Sequence, residues 1–444
     1  MRADKRPLSV RTSRRTVAVA LDKAAEYAAE SEFSYGFDRS EGTLARGAGA
    51  EEFSPGAALP SGEAPAALFR VRAAAGDAFA LVCRSGKLYG CAPGGAFADA
   101  GVTFAGVPAA APFFDAEGKE CLALSDGAAV AVLSENGAEK SETIPAFACA
   151  AFHFERLWSL NGAKARFSSP ADACDFNAGR GGGGAIDFPD GAGAIAAALT
   201  FRGGLYLLRE RGVQELAAEG DERAFRLRDV CACTRICGAT AAAAPEGIFW
   251  LAEDGLYRFD GARAEPFAEE FAPLFAGADL AAARAVVWGN RYVLQARARL
   301  GGREEDVLAV LRTDGAGGYV LRRAVSGLTA CGGEVFFVCG GKVCRLRGDG
   351  PFLDSYGRAA WAGTVRAPWP DGTLRALRVR LRGQFTLTVI GGRGLRRAEI
   401  AGDGETKVCP VRLAGDSFVV RLETDGPGCV YALSAQFTRS EAQI

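Results

Sequence analysis

Histidine is almost absent from this chain, since His153 is the only one among 444 residues. This scarcity excludes most Ser-His-Asp triads, Cys-His pairs and histidine-ligated metal sites unless His153 itself takes part. His153 lies in the apolar segment Phe152-His153-Phe154, which is typical of a strand, so we expect a structural histidine. A Walker phosphate-binding loop is also missing, because the run Gly179–Gly184 is not followed by lysine and serine or threonine. The sequence therefore predicts neither an enzyme nor a bound cofactor.

The chain also lacks an excess of charge and a long apolar run. Its formal net charge is −1, so no global attraction to nucleic acid or membranes is expected. No run of about 18 apolar residues occurs, which argues against a membrane-spanning helix. Residues 1–30 are basic but have no apolar core ahead of a small-residue cleavage site, so no secretory signal is predicted. We expect synthesis and retention in a cytoplasm, at least until any assembly containing the chain leaves the cell.

Cysteine, by contrast, is plentiful, and the odd total of 13 argues against a complete disulfide framework. Six cysteines fall within apolar strands and are predicted to be small core residues: Cys83, Cys91, Cys121, Cys339, Cys344 and Cys429. The densest group is Cys231-x-Cys233-x-x-x-Cys237. A metal site and three buried thiols are both open there, but the spacing is unlike that of a zinc finger or ribbon. The buried-thiol interpretation is favoured.

A strand–turn–strand unit returns at intervals of about 33 to 48 residues, the repeat expected for one β-propeller blade. Each copy is an apolar run, a glycine-based turn and a second run with alternating apolar residues. The copies are Phe79–Cys91, Cys121–Leu133, Phe154–Phe167, Leu199–Leu216, Gly247–Asp260, Trp288–Leu311 and Glu334–Leu346. Nearly continuous apolar runs, as in Val335–Val338, indicate strands buried on both faces. We predict an all-β fold with a β-propeller of six or seven blades, some irregular, over residues 67–350.

Two further regions flank the predicted propeller. Residues 1–66 are interpreted as an N-terminal arm and an extended strand, and residues 351–444 as a C-terminal antiparallel, sandwich-like β domain. The C-terminal segments alternate with period two, and arginines occupy their outward positions: Arg378, Arg380, Arg382, Arg412 and Arg421. We expect these arginines to be solvated. One helix is predicted over Pro266–Ala283, bent or split at Pro273, with Phe267, Phe271, Leu274 and Phe275 on one stripe.

A propeller glycosidase is the enzyme class to compare, because it needs paired carboxylates and, in sialidases, an arginine cluster at the axis. The turns Ser125-Asp126-Gly127 and Glu253-Asp254-Gly255 match the sialidase repeat only superficially, since neither carries its tryptophan. We expect Asp126, Asp254 and Asp260 to hold their turns through side-chain hydrogen bonds to the backbone. A glycosidase is the weakest of the alternatives.

The middle of the chain has a distinctive order of motifs. Arg156-Leu157-Trp158 precedes Phe167–Asp172, then come Phe201–Tyr206 and Val213–Leu216, then Gly238, Gly247–Leu251 and Asp254–Tyr257. This order resembles the central stretch of bacteriophage tail nozzle or hub proteins, also called packaged-DNA stabilisation proteins in short-tailed phages. Weaker similarity reaches Tyr35–Gly49 and the closing strands Phe418–Leu422 and Cys429–Phe437. The shared positions are structural: Arg156, Leu157, Trp158, Phe167, Ser168, Pro170, Gly203, Leu205, Gly238, Asp254, Gly255 and Tyr257.

The resemblance implies a structural virion component made in the bacterial host cytoplasm and located in the tail. Its subunits are expected to form a ring, usually a hexamer, below the head-to-tail adaptor. The ring would retain and then conduct phage DNA through its lumen with transient, non-specific contacts, and its far end would hold the tail tip, needle or fibre protein. No catalytic residue, metal or cofactor is implied.

The basic N-terminal arm is a candidate contact for an acidic neighbouring subunit or adaptor. Its cationic residues are Arg2, Lys5, Arg6, Arg11, Arg14 and Arg15. A frayed terminus without a role is an equal alternative for this segment. The rival for the whole chain is a non-catalytic propeller that acts as a general protein-interaction module, cellular or tail-associated. The dipeptides that mark WD and kelch repeats are missing, so the sequence does not assign it to those classes.

Overall fold

The structure, a computed structural model, describes residues 10–19, 21, 36–40, 42–170, 172–178, 182–188, 192–220, 222–300, 303–347, 359–370, 372–392 and 394–442. These residues form seven four-stranded sheets and one eight-stranded sheet, all with antiparallel pairing. Within these ranges, no helix has the length and apolar character needed to cross a membrane.

Twenty strands are described in the first half of the chain. The N-terminal ones are β1 (Val10–Val19), β2 (Phe37–Ser40), β3 (Thr43–Arg46) and β4 (Gly49–Glu52). Blade 1 contains β5 (Pro65–Ala73), β6 (Gly76–Cys83), β7 (Lys87–Cys91) and β8 (Ala98–Thr103). Blade 2 contains β9 (Ala109–Phe114), β10 (Glu120–Ser125), β11 (Val130–Ser134) and β12 (Gly137–Lys140). Blade 3 contains β13 (Cys149–His153), β14 (Arg156–Asn161), β15 (Lys164–Phe167) and β16 (Gly184–Asp187). Blade 4 contains β17 (Ile195–Phe201), β18 (Gly204–Arg209), β19 (Gly212–Ala217) and β20 (Arg226–Ala232).

The second half completes the propeller and forms most of the eight-stranded terminal sheet. Blade 5 contains β21 (Ala242–Ala244), β22 (Gly247–Ala252), β23 (Gly255–Phe259) and β24 (Ala264–Pro266). Blade 6 contains β25 (Arg284–Trp288), β26 (Arg291–Leu300), β27 (Arg303–Arg312) and β28 (Gly318–Arg322). Blade 7 contains β29 (Ser326–Cys331), β30 (Glu334–Cys339), β31 (Lys342–Arg347) and β4. The terminal sheet contains β32 (Ala359–Arg366), β33 (Thr373–Gly391), β34 (Gly394–Ala414), β35 (Ser417–Thr424) and β36 (Gly428–Ala442), with β1, β2 and β3. The short helices among the described residues are α1 (Ala272–Phe275) and the 3₁₀ turns Glu222–Ala224 and Gly238–Thr240.

The predicted all-β propeller is confirmed, and its blade number is seven. Each repeat found in the sequence corresponds to the hairpin formed by the second and third strands of one blade. These central strands are the most buried, because neighbouring blades pack on both of their faces. Gly247–Ala252 is buried at every position, and Glu334–Cys339 is buried except at its two ends. The continuous apolar runs thus result from burial of both faces of these strands, as the sequence indicated.

The N-terminal strand β4 closes the propeller by serving as the outer strand of blade 7. It pairs with β31, with Leu346 opposite Ala50 and Arg345 opposite Glu51. Ion pairs accompany this pairing, with Lys342 Nζ 2.6 Å from an oxygen of Glu52 and Arg345 Nη2 2.9 Å from one of Glu51. Strands from the first 66 residues therefore belong both to the propeller and, through β1, β2 and β3, to the terminal sheet.

The helix predicted over Pro266–Ala283 is wrong in extent. Only Ala272–Phe275 is helical, with Pro273 in its first turn, and Pro266 ends a strand. A proline is tolerated at a helix start but not in its interior, which limits the helix to the segment that begins there. The predicted apolar stripe is nevertheless buried, in the core shared by blades 5 and 6: Phe267, Phe271, Leu274 and Phe275.

The terminal sheet is built on the long hairpin of β33 and β34 and is nearly closed. β33 pairs with β34 along one edge and with β35 and β36 along the other. Gly383 and Gly404 have φ values of 105° and 113°, which only glycine adopts easily, next to a register shift in the pairing of β33 with β34. The beginning of β34 consequently returns to its end, and Arg396 Nε donates to the Val411 carbonyl at 3.3 Å. The outward arginines predicted on these strands are exposed, apart from the half-buried Arg421.

The turn between β13 and β14 holds two non-glycine residues in left-handed backbone, Phe154 at φ 52° and Glu155 at φ 59°. Left-handed backbone costs an L-residue about 1–2 kcal/mol, and glycine avoids this at an entropic cost of about 0.5–1 kcal/mol. We expect Glu155→Gly to raise the melting temperature by a few degrees. Glu117→Gly is the control, because Glu117 is an exposed turn residue outside the left-handed region. Differential scanning calorimetry that finds no gain over the control would contradict this account of the turn.

Candidate functional site

The inner strands of the blades surround a central cavity of about 770 Å³. Small side chains line much of it, because seven inner strands converge there and leave little room for larger ones. Six of the seven blades contribute alanines at or just before the inner strand: Ala109, Ala150, Ala198, Ala241, Ala285 and Ala330. Among the described residues, the charged ones in the lining are Arg70, Glu120, Asp126 and Arg284. This axial cavity is the first candidate site.

Arg70 in the cavity wall joins blade 1 to blade 7. Its guanidinium is 2.5 Å from an oxygen of Glu334 and 3.3 Å from one of Asp77. It also donates to the carbonyls of Cys331 and Gly332 at 2.9 and 3.1 Å. Arg70 is only 5% exposed, so these partners compensate a buried charge at the junction where the ring closes. The role of Arg70 is structural.

Arg284 makes a different contact, across the cavity. It begins the inner strand of blade 6, and its Nη2 donates to the carbonyl of Val107, in the connection from blade 1 to blade 2, at 2.6 Å. That connection is fixed by Asp126, whose Oδ2 accepts from the Ala105 amide at 2.8 Å. Burial lowers the pKa of Arg284, opposed only by the nearby Cys237 thiol. One half-buried cation therefore spans one end of the axial cavity.

The family-like residues of blade 3 form one contiguous group. Arg156 is buried and donates to the carbonyls of Ser168 and Gly182 at 2.7 and 3.1 Å. The Leu157 amide donates to Ser168 Oγ at 2.9 Å, and the Trp158 and Phe167 rings pack 5.1 Å apart. These contacts fix the hairpin of β14 and β15 and the loop that follows. The group stabilises the blade and presents no free reactive atom.

The other family-like positions are separated in space. Pro170 is exposed in a turn, Gly203 occupies a left-handed turn, and Leu205 is fully buried in β18. At Gly238, a Cβ atom would lie 1.9 Å from the Ala196 carbonyl, so glycine allows blades 4 and 5 to approach. Gly255 has φ 145° in the turn after Asp254, and Tyr257 donates its hydroxyl to Asp254 Oδ2 at 2.7 Å. Each of these residues is thus explained by its backbone conformation, its packing or its hydrogen bonds.

The predicted turn aspartates behave in two ways. Asp126 accepts from the backbone amides of Ala128 and Ala129, and Asp260 accepts from those of Ala262 and Arg263. Asp254 differs from the prediction, because its oxygens accept the hydroxyl hydrogens of Thr234 and Tyr257. Burial acts to raise the pKa of Asp254, but these hydroxyl bonds and a hydrogen bond from its own backbone amide together outweigh it, and the pKa is lowered.

The single histidine and the cysteines show no metal-binding arrangement in the described part of the chain. The His153 Nε2 atom lies 3.2 Å from the Gly203 carbonyl, and burial lowers the pKa of the ring. Cys231, Cys233 and Cys237 are free thiols with no disulfide, Cys237 buried and the others half-buried. Burial raises the pKa of Cys233 to about 12, as expected for an inert thiol. Of the six predicted core cysteines, Cys339 and Cys429 are only half-buried.

A second candidate site lies on the outer face of the terminal sheet and was missed at the sequence level. Ile390 of β33 lies directly opposite Leu395 of β34 and Val419 of β35. The three side chains are 43%, 58% and 37% exposed. We call them the apolar row. Alternation along each strand marked these positions as outward, but only the register of three strands brings them side by side.

The apolar row is bordered by charge of both signs. Two residues before Ile390 on β33, Thr388 lies opposite Arg397 and Arg421. Two residues before Thr388, Thr386 lies opposite Glu399 and Glu423. A row with two arginines therefore lies next to the apolar row, and a row with two glutamates lies beyond it. Exposed apolar groups with a polar border are typical of protein–protein contact surfaces.

The basic N-terminal residues are only partly described. Arg2, Lys5 and Arg6 lie outside the described residues, as does the side chain of Arg11. Arg14 and Arg15 are exposed on β1, which pairs with β36 along all ten of its residues. The guanidinium of Arg15 also lies over the Trp369 ring at 5.5 Å. This part of the predicted arm is thus a strand of the terminal sheet, and its contact with a partner stays a prediction.

Comparison with known proteins finds structural similarity only at low sequence identity. No protein-family model and no curated protein matches the sequence. Among solved structures, virginiamycin B lyase from Staphylococcus aureus is similar with 9% identity and a TM-score of 0.44, covering 68% of this chain and 99% of that one. BamB from Moraxella catarrhalis is similar with 10% identity and a TM-score of 0.40, covering 76% and 97%. The Pan2 WD40 domain from Neurospora crassa is similar with 9% identity and a TM-score of 0.43, covering 71% and 97%.

Proposed function

We propose that this chain is a non-catalytic structural subunit of a bacteriophage tail, a nozzle or hub protein that assembles with copies of itself. The propeller supplies a rigid scaffold, and its family-like residues are occupied in holding blades 3, 4 and 5. The observation that carries the proposal is the apolar row of Leu395, Ile390 and Val419 on the terminal sheet. Exposed apolar side chains aligned on three neighbouring strands favour burial against another protein.

The charges beside the apolar row favour a second copy of this chain as the partner. Arginine and glutamate pairs lie in adjacent rows, so the surface carries both signs and suits another surface of the same composition. A strongly acidic or basic partner would instead select for one sign. The chain as a whole has a net charge of −1, so its copies do not repel one another strongly.

In the proposed ring, phage DNA would pass through a central channel enclosed by the subunits, and not along the axis of any one propeller. The Arg284 side chain and the Val107 carbonyl meet across one end of the axial cavity, which leaves no passage for a duplex there. A conduit also requires few phosphate contacts, because each one adds affinity and slows transit. The virion tail location, the head-to-tail adaptor and the tip, needle or fibre partners follow from the family resemblance.

The assembly surface is tested by placing a charge within the apolar row. We expect Ile390→Glu to reduce self-association by about tenfold or more, since one buried charge at an interface costs several kcal/mol. Val408→Glu is the matched control, because Val408 is 57% exposed on β34 but lies opposite Arg378, away from the apolar row. Multi-angle light scattering measures the mass of both variants.

The two variants separate the possible outcomes. Assembly that is lost with Ile390→Glu and kept with Val408→Glu supports the apolar row as the contact. Equal loss in both variants, or no change in either, would reject it. A wild-type protein that stays monomeric would reject self-assembly and favour the general protein-interaction module.

A further inference from the structure

The axial cavity contains a cation whose charge no described residue neutralises. Arg284 makes a single described hydrogen bond, to the Val107 carbonyl at 2.6 Å, and no described carboxylate forms an ion pair with it. Arg70, the other cation of the lining, is paired with Glu334 and Asp77. A guanidinium has five N–H donors, so most of those on Arg284 remain available to a molecule in the cavity.

The acidic residues of the lining do not form ion pairs with Arg284. Asp126 lies near the same connection, but its two oxygens accept the amides of Ala105, Ala128 and Ala129. Glu120 lies opposite Phe114, at the far end of β9 from the connection that contains Val107. The end of the cavity at Arg284 therefore favours an anion.

The remainder of the cavity indicates which kind of anion fits. Its volume of about 770 Å³ is in the range of small-molecule sites, and alanines from six blades give it an apolar wall. A planar guanidinium matches a carboxylate with two parallel hydrogen bonds. A phosphate dianion would bring a second negative charge that this single cation leaves unbalanced. We propose that the axial cavity binds a small monocarboxylate, with its carboxylate on Arg284 and its hydrocarbon part against the alanines.

The proposal is tested by calorimetric titration of the full chain with butyrate and benzoate, and with inorganic phosphate as the comparison anion. We expect saturable binding of a carboxylate to wild-type protein, binding weakened about tenfold by Arg284→Lys, and no detectable binding to Arg284→Gln. Lysine keeps the charge but not the planar fork, so the two variants separate charge from geometry. Arg235→Gln is the matched control, since Arg235 is exposed and pairs with Glu253 outside the cavity.

The melting temperature of each variant without ligand establishes that it is folded, and Arg284→Lys keeps the test valid if Arg284→Gln does not fold. Loss of binding at Arg284 with normal binding by Arg235→Gln supports the site. Carboxylate binding that is unaffected at Arg284, or absent from wild-type protein at about 1 mM ligand, would overturn it. Phosphate binding as tight as that of either carboxylate would also overturn it. None of these results depends on whether the protein forms a ring.

Discussion

Ala50→Asp is expected to lower the melting temperature of the propeller by about 10 °C. Ala50 is fully buried on β4, where it packs with the core shared by blades 6 and 7. An aspartate there would be a buried charge without a partner, which costs several kcal/mol. Each kcal/mol corresponds to about 2–4 °C in a domain of this size class. The effect is large because β4 is the strand that closes the ring.

Ala58→Asp is the matched control, because Ala58 is exposed in the connection between β4 and blade 1. It is expected to leave the melting temperature unchanged. Limited proteolysis provides a second readout, since release of β4 from β31 would expose the connection over residues 53–64 to cleavage. If Ala50→Asp has the same melting temperature and the same resistance to protease as Ala58→Asp, β4 does not hold the propeller closed.

Arg70→Met is expected to cost about 1.5–3 kcal/mol, the range for losing hydrogen bonds to charged groups, because Glu334 and Asp77 are only partly buried. The substitution leaves Glu334 with Arg345 as its remaining cation and removes the hydrogen bonds that Arg70 donates to the carbonyls of Cys331 and Gly332. Arg72→Met is the control, because Arg72 is exposed on the same strand. Thermal unfolding that is equally affected in both variants would show that the Arg70 contacts contribute nothing specific.

The same ion pairs predict a dependence of stability on pH. Burial acts to raise the pKa of Glu334, but Arg70 and Arg345 outweigh it, so the pKa lies below its usual value. The stabilisation is therefore complete above the pKa of the unfolded chain, near 4.5, and is lost as the pH falls through the lower folded pKa. Melting temperatures between pH 7 and pH 3 should fall less steeply for Glu334→Gln than for the wild type. Parallel curves would contradict this.

The propeller could be predicted from the sequence because its central hairpins are local. Each apolar run in a hairpin such as Glu334–Leu346 is followed within a few residues by its own partner strand, and the burial of both faces leaves a continuous pattern. Strand β4 could not be predicted, because Gly49–Glu52 has no apolar run and its partner β31 is almost 300 residues away in the chain. The prediction of a helix over Pro266–Ala283 was wrong in extent because Pro273 restricts where a helix can begin. The apolar spacing that suggested it was correct.

The candidate sites were harder to predict because they depend on register and on long-range approach. Ile390, Leu395 and Val419 appear in the sequence as three unrelated outward positions, and only strand pairing aligns them. Arg284 is one of many arginines, and its contact with Val107 joins residues 177 positions apart. The motif from Arg156 to Ser168, in contrast, was visible because its contacts lie within one hairpin and the following loop.

The mass of the wild-type protein in solution, measured by multi-angle light scattering over a range of concentrations, tests the proposed self-assembly most directly. Negative-stain images of the largest species show whether it is closed. The account predicts a ring of several copies with a central channel between the subunits. A monomer at every concentration would contradict the proposed tail subunit and would leave a general protein-interaction propeller as the account of this chain.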